Sequence, residues 1–266
     1  MFQALRQIFA RGDDAPAAAI PPGQRVYAVG DIHGRLDLFE ALVTAIDADD
    51  AAAAPAETTV ILLGDLVDRG ADSAGVIALA RDWQQRRPVR ILAGNHEEMF
   101  LRSFNSLEMF RHFLRHGGRE TVLSYGVDRA AFMHAELEEA QDMMRTAVPA
   151  EDVAFLQGFE DMIAVGDYLF VHAGIDPRVP IEEQKVHDLR WIREPFLSHS
   201  EAHGQVVVHG HTICDVPEDC GNRIGIDTGA FMTGRLTALA LEGTERRYIE
   251  AVESEDGAVA VSALAL

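Results

Sequence analysis

Apolar and polar positions follow two rhythms along this chain. RVYAV (25–29), TVILL (59–63) and VRILA (89–93) are short apolar runs of strand length, each followed by glycine and polar residues. Between the first two, Leu36, Phe39, Leu42, Val43 and Ile46 recur at helical spacing, which predicts a helix over 35–47; a second helix is expected over Ser73–Gln85. Strand, helix, strand in succession predicts parallel pairing through helical crossovers. The rhythm breaks over residues 97–160, where the pattern is helical and interrupted at Gly117-Gly118 and Pro149. A helical insertion over about residues 99–160 is therefore expected. Between Glu136 and Asp161 it carries eight acids against one arginine, which implies a solvated acidic face. Strands return at YLFV (168–171), QVVV (205–208) and RIGI (223–226), and RLTALAL (235–241) with RRYIEAV (246–252) reads as a closing antiparallel pair. Ahead of all this, Gly12–Gln24 is rich in alanine and proline and reads as a flexible leader. The expected organisation is a leader over 1–24 and one α/β domain over 25–266.

Composition narrows the classes. Of 266 residues, 48% are hydrophobic and 25% charged, as in an ordinary globular chain. Lys and Arg total 23 and Asp and Glu 43, a formal net charge of −20. A broad basic nucleic-acid-binding face is excluded by that balance. Any phosphate site must carry its own local positive charge against the field of the whole chain. No apolar stretch is long enough for a membrane span, the N-terminus is too polar for a signal peptide, and two cysteines cannot frame a disulfide scaffold. A cytoplasmic protein without membrane or nucleic-acid partners is expected, with Cys214 and Cys220 as ordinary reduced thiols.

Five apolar runs end in polar clusters: Gly30-Asp31-Ile32-His33-Gly34, Gly64-Asp65-Leu66-Val67-Asp68-Arg69-Gly70, Gly94-Asn95-His96-Glu97, His172-Ala173-Gly174 and His209-Gly210-His211-Thr212. Ligands bind at the carboxyl ends of strands in α/β sheets, so these clusters converge if the strands are neighbours. Carboxylate, amide and imidazole without thiolate suit Mn²⁺, Fe or Zn²⁺ in a two-metal site better than a structural zinc. A carboxylate such as Asp65 can bridge two cations. His209 lies two residues before His211 and is open to two readings, a group near the phosphate or a structural histidine.

Taken in order, GDIHG, GDLVDRG, GNHE, HAG and GHT resemble the phosphoprotein phosphatase family of calcineurin-like binuclear metallophosphoesterases, in its compact bacterial and phage form. The resemblance runs from about Arg25 to about Leu241 and is weakest in the insertion. It implies a central β-sandwich flanked by helices, in place of the simple doubly wound sheet suggested by the alternation. It also implies that Asp31 and His33 hold one metal, Asp65 bridges, and Asn95, His172 and His211 complete the second. His96 matches a general acid and Asp68 the carboxylate that orients and charges it. Arg69 and Arg193, with Asn95, match phosphate-binding residues. The implied reaction is in-line attack by a metal-activated hydroxide on a phosphomonoester, with phosphoproteins as the first substrate class and dinucleoside polyphosphates or other nucleotides as the second. Asp68 and Glu97 both favour the first class on this reading. The eukaryotic C-terminal loop has no counterpart; Ile226-Asp227-Thr228-Gly229-Ala230 stands in its place.

Overall fold

A computed structural model describes residues 17–265. Alternation along β1 (Gln24–Val29) decides the architecture: Val26 and Ala28 point to one side, Tyr27 and Val29 to the other, and all four are buried. A strand buried on both faces needs a layer on each. On one face, α1 (Leu36–Ala52) lays down Leu38, Phe39, Leu42, Val43 and Ile46. After β2 (Glu57–Leu62), parallel to β1, α2 (Ser73–Arg86) covers the same face with Val76, Ala80 and Trp83. β3 (Val89–Ile91) then pairs in parallel with β2.

The helical insertion follows as α3 (Asn95–Ser103), α4 (Leu107–Phe113), α5 (Arg119–Ser124), α6 (Arg129–His134), α7 (Leu137–Ala147) and α8 (Ala150–Gln157). Its own core, with Phe100, Phe110, Phe113 and Met144, extends onto Val67 and Ile77. The insertion is thereby seated on the loop after β2 and on α2. Its acids divide: Glu138 and Asp142 are exposed, while Asp152 is buried against Arg81.

The second sheet comprises β4 (Met162–Val165), β5 (Tyr168–Val171), β6 (Val206–His209), β7 (Glu218–Asp219) and β8 (Arg223–Gly225) in the order β4-β5-β6-β8-β7, with α9 (Val186–Trp191) between β5 and β6. After α10 (Ala230–Thr233), β9 (Arg235–Glu242), β10 (Glu245–Glu253) and β11 (Val259–Ala265) complete the first sheet as β11-β10-β9-β1-β2-β3. Val26, Ala28, Ile61, Leu239 and Leu241 of the first sheet meet Phe170, Val208 and Ile224 of the second in the inter-sheet core. The architecture is thus the expected sandwich with helices outside and a helical insertion. The parallel crossover alternation runs over β1–β3 and returns at β5–α9–β6 in the second sheet, while β9 inserts antiparallel on the free edge of β1.

The leader reading needs correction near its end. Ile20 is buried between the sheets, its N–H donates to Gly243 O at 2.8 Å, and Ala19 N–H donates to Asp167 Oδ2 at 2.9 Å. The remainder of that reading lies outside the described residues. Among the described residues no helix is long and apolar enough to cross a membrane.

Candidate active site

β1, β2, β5 and β6 end at the same edge of the sandwich, and the polar clusters that follow them meet there with the start of α3. Asp65, fully buried after β2, is the centre. Its Oδ2 lies 3.6 Å from His33 Nε2 and 3.9 Å from His96 Nε2, and its Oδ1 lies 3.4 Å from His172 Nε2. Two groups of side chains with a potential metal-ligating atom within 4.8 Å of one another share it: His33, Asp65 and His96, and Asp65, His172 and His211. Asn95 joins the second, its Oδ1 standing 3.0 Å from His172 Nε2 and 2.8 Å from His211 Nδ1. Asp31 belongs to neither group. Its carboxylate accepts the His211 N–H, and Gly210 passes so close that a Cβ there would lie 2.1 Å from Asp31 Oδ1.

Ring orientation is set by backbone. His33 Nδ1 donates to Val67 O and His172 Nδ1 to Leu63 O, each at 2.8 Å, which turns both Nε2 atoms inward. Burial pushes the His33 pKa well down, which leaves Nε2 an acceptor. Burial also works against charge on His172, but Asp65 and Asp31 outweigh it and push its pKa up to about 10. Asp31 itself is pushed well above the usual carboxylate range by burial and by Asp227. The His211 Nε2 is buried without any hydrogen-bond partner among the described residues. Such an orphaned acceptor, in a carboxylate, amide and imidazole set, fits a divalent metal centre.

Beside Asp65, His96 Nδ1 meets Asp68 Oδ2 at 2.6 Å. Asp68 is held in turn: its N–H donates to Ser73 Oγ at 3.0 Å and Thr121 Oγ1 at 2.9 Å, and Thr121 Oγ1 donates to Asp68 Oδ1 at 2.6 Å. Sequence reasoning expected Asp68 to keep His96 charged. Here burial pushes His96 down to about 4, against Asp65, and raises Asp68 well above the carboxylate range. Arg69 adds to the effect of burial at the other nitrogen. Arg69 Nη2 donates to His96 Nε2 at 2.9 Å, and Arg69 Nη1 to His33 Nε2 at 2.8 Å, and both bonds require a lone pair.

Arg69 is itself pinned. Its N–H donates to Gly117 O at 3.1 Å, and its guanidinium lies 4.5 Å from the centre of the Phe231 ring. Gly117 has φ 106°, and a Cβ there would stand 2.7 Å from Arg69 N. Among the described residues, the non-glycine positions with positive φ are His33, Asp65, Asp68, Arg69 and His211, all members of this site. Arg193 is exposed after α9 and has no ion pair among the described residues, and its charge contributes to holding His211 down, at about 3, behind the larger effects of burial and His172. The neighbouring Glu194 accepts from Ser198 Oγ and does not pair with Arg193.

His209 resolves toward the structural side. Its ring packs on Phe196, centroids 5.0 Å apart, and its Nδ1 meets Gly210 O. Cys214 and Cys220 are free thiols. Four residues escaped sequence reasoning as parts of the site. Glu97 is one: both of its oxygens are taken by the N–H groups of Asp65, Leu66, Val67 and Gly94, so it ties the β2 loop to α3 and faces no substrate. Its value in separating substrate classes falls with that. Thr121, Asp227 and Phe231 are the others, and only Asp227, in the Asp-Thr-Gly stretch after a strand, carried a local signal.

The family model for calcineurin-like phosphoesterases matches residues 24–227. The chain is 26% identical over 234 residues to bis(5'-nucleosyl)-tetraphosphatase PrpE (asymmetrical) of Anoxybacillus flavithermus, covering 79% of this chain and 88% of that protein. It is 27% identical over 225 residues to serine/threonine-protein phosphatase 1 of Salmonella typhimurium, covering 82% and 93%. Among solved structures, a presumed diadenosine tetraphosphatase shares the fold with a TM-score of 0.60 at 19% identity, covering 93% of this chain and 98% of that one.

Proposed function

The chain belongs to the calcineurin-like phosphoesterase family, and from that premise we propose that it is a phosphohydrolase that uses two divalent cations around Asp65 and a leaving-group acid at His96. The observation that carries the reading is the placement of the His96–Asp68 pair against the carboxylate common to both ligand groups. His33, with Asp31 behind it, would serve one cation, and Asn95, His172 and His211 the other. Mn²⁺ suits this mixed donor set best, with Fe and Zn²⁺ as alternatives. When bound, the cations offset the phosphate charge and lower the pKa of bound water towards about 7.

The chain's own groups supply the rest. Arg69 and Arg193 are the forked donors for the phosphate oxygens. His33 and His96 take one N–H each from Arg69, which leaves further donors of the fork for phosphate. Where the Nη2 bond is given up for phosphate, His96 Nε2 can carry the proton destined for the leaving oxygen, while Asp68 holds the opposite nitrogen.

Two substrate classes enter from the relatives, dinucleoside polyphosphates and phosphoserine or phosphothreonine proteins. The reacting groups treat them alike, since each presents a phosphorus with an oxygen leaving group. The test is metal dependence: turnover of p-nitrophenyl phosphate should fall to background in EDTA and return with Mn²⁺. Undiminished turnover in the chelated protein would overturn the reading.

Thr121 acts here as a positioning residue. Thr121→Val removes both of its bonds to Asp68 and should lower kcat about tenfold on an alkyl phosphate, at unchanged metal content. Thr121→Ser should restore most of it, and p-nitrophenyl phosphate, whose phenolate leaves unaided, should be nearly indifferent. An equal loss on both substrates, or no rescue by serine, would reduce Thr121 to packing.

A further inference from the structure

Fourteen of the described arginines lie within ion-pair distance of a carboxylate, from Arg25 with Asp50 to Arg247 with Asp49. In a chain with 43 acids and 23 bases that is the expected condition. Arg69 and Arg193 are exceptions and belong to the active site. Among the described residues the other arginines without a carboxylate partner are Arg111, Arg115, Arg119 and Arg129, all exposed and all within one stretch of the insertion. This stretch includes the turn whose Gly117 carbonyl binds the Arg69 N–H. Shortage of acids cannot explain the grouping, since Glu120 and Asp128 lie in the same stretch.

One of these arginines shares a cavity with the active site. Arg69, Ala71, Glu120, Leu123, Val127 and Arg129 line a cavity of about 340 Å³, the size of a small ligand subsite. Its lining is chemically mixed. Arg129 offers a guanidinium fork, Leu123 and Val127 offer apolar walls, and Glu120 offers a hydrogen-bond acceptor.

We propose that this cavity is a second phosphate subsite for a nucleoside polyphosphate, with Arg129 on a phosphate beyond the reacting one. The apolar walls then lie along the sugar or base, and Glu120 accepts from a hydroxyl or amino group. A simple phosphate ester would leave Arg129 and Glu120 unused, and a purely inorganic polyphosphate would leave the walls and Glu120 unused. The free arginines of the insertion add a local positive field that draws a polyanion toward the site against the net charge of the chain. This proposal rests on the phosphohydrolase reading and names its substrate.

The experiment measures kcat/KM with Mn²⁺ in excess on a dinucleoside tetraphosphate, an acidic phosphopeptide and p-nitrophenyl phosphate, for the parent chain and for Arg129→Ala and Arg129→Lys. The parent should prefer the dinucleotide. Arg129→Ala should lower the dinucleotide to p-nitrophenyl phosphate ratio about 10- to 100-fold, mainly through KM, the usual effect of losing a charged hydrogen-bonding partner. Arg129→Lys, which keeps the charge and loses the fork, should recover part of it. A ratio within twofold of the parent in Arg129→Ala overturns the subsite, as does an equal loss on the phosphopeptide or a parent that prefers the phosphopeptide. Parent turnover of p-nitrophenyl phosphate reports separately on the hydrolase reading, so failure of the subsite and failure of the chemistry are distinguishable.

Discussion

Asp65→Asn should lower turnover by at least ~10³-fold on every phosphoester and deplete metal at both positions, a loss of several kcal/mol of charge stabilisation. Asp65 is the carboxylate shared by both ligand groups, one oxygen toward His172 and the other toward His33. An asparagine keeps the size but removes the charge and replaces one of the two oxygens with an N–H donor aimed at a cation. The fold should persist, because the backbone N–H of residue 65 still reaches Glu97 and the rest of the loop is tied independently. His33→Ala is the contrasting variant, since it should lose mainly one metal. Metal analysis with turnover on p-nitrophenyl phosphate separates the outcomes. Two full equivalents in Asp65→Asn with near-parental turnover would show that the shared carboxylate is not a ligand.

His96→Asn is the second large effect. Its removal takes the imidazole that pairs with Asp68 at 2.6 Å, and should reduce kcat on an alkyl phosphate by about 10²- to 10⁴-fold. The loss on p-nitrophenyl phosphate should be much smaller, since that leaving group needs no proton. His96 also falls within the first ligand group, so metal content is the deciding control. Near-normal metal with a leaving-group-dependent loss assigns an acid; lost metal with equal losses on both substrates assigns a ligand instead.

The residues that carry these effects were readable because each follows an apolar run in a short polar cluster. β1, β5, β9 and β10 were also readable, since their periodicity is continuous and local. The placement of β9 beside β1 was not, because pairing across more than 200 residues leaves no trace in periodicity. β4 is four residues long and hidden behind Glu160 and Asp161, and β11 is built largely of small residues, so neither announced itself. Thr121 looks like any polar position on a short helix until the insertion folds back on Asp68. Glu97 sat inside a recognisable motif and was still misjudged, because a motif shows which residue is present and not which way its oxygens turn.

His33, Asp65, Asp68, Arg69 and His211 all occupy the left-handed backbone region, where a side chain costs about 1–2 kcal/mol relative to glycine. Together that is about 5 kcal/mol or more, comparable with the entire net stability of many domains. Substituting glycine at such a position, in an assay that rewards only heat resistance, would be an improvement. A lineage selected for durability alone would therefore tend to erode this site first. Five strained, chemically demanding side chains at one edge of the sandwich mark the place where this fold gives up robustness for chemistry.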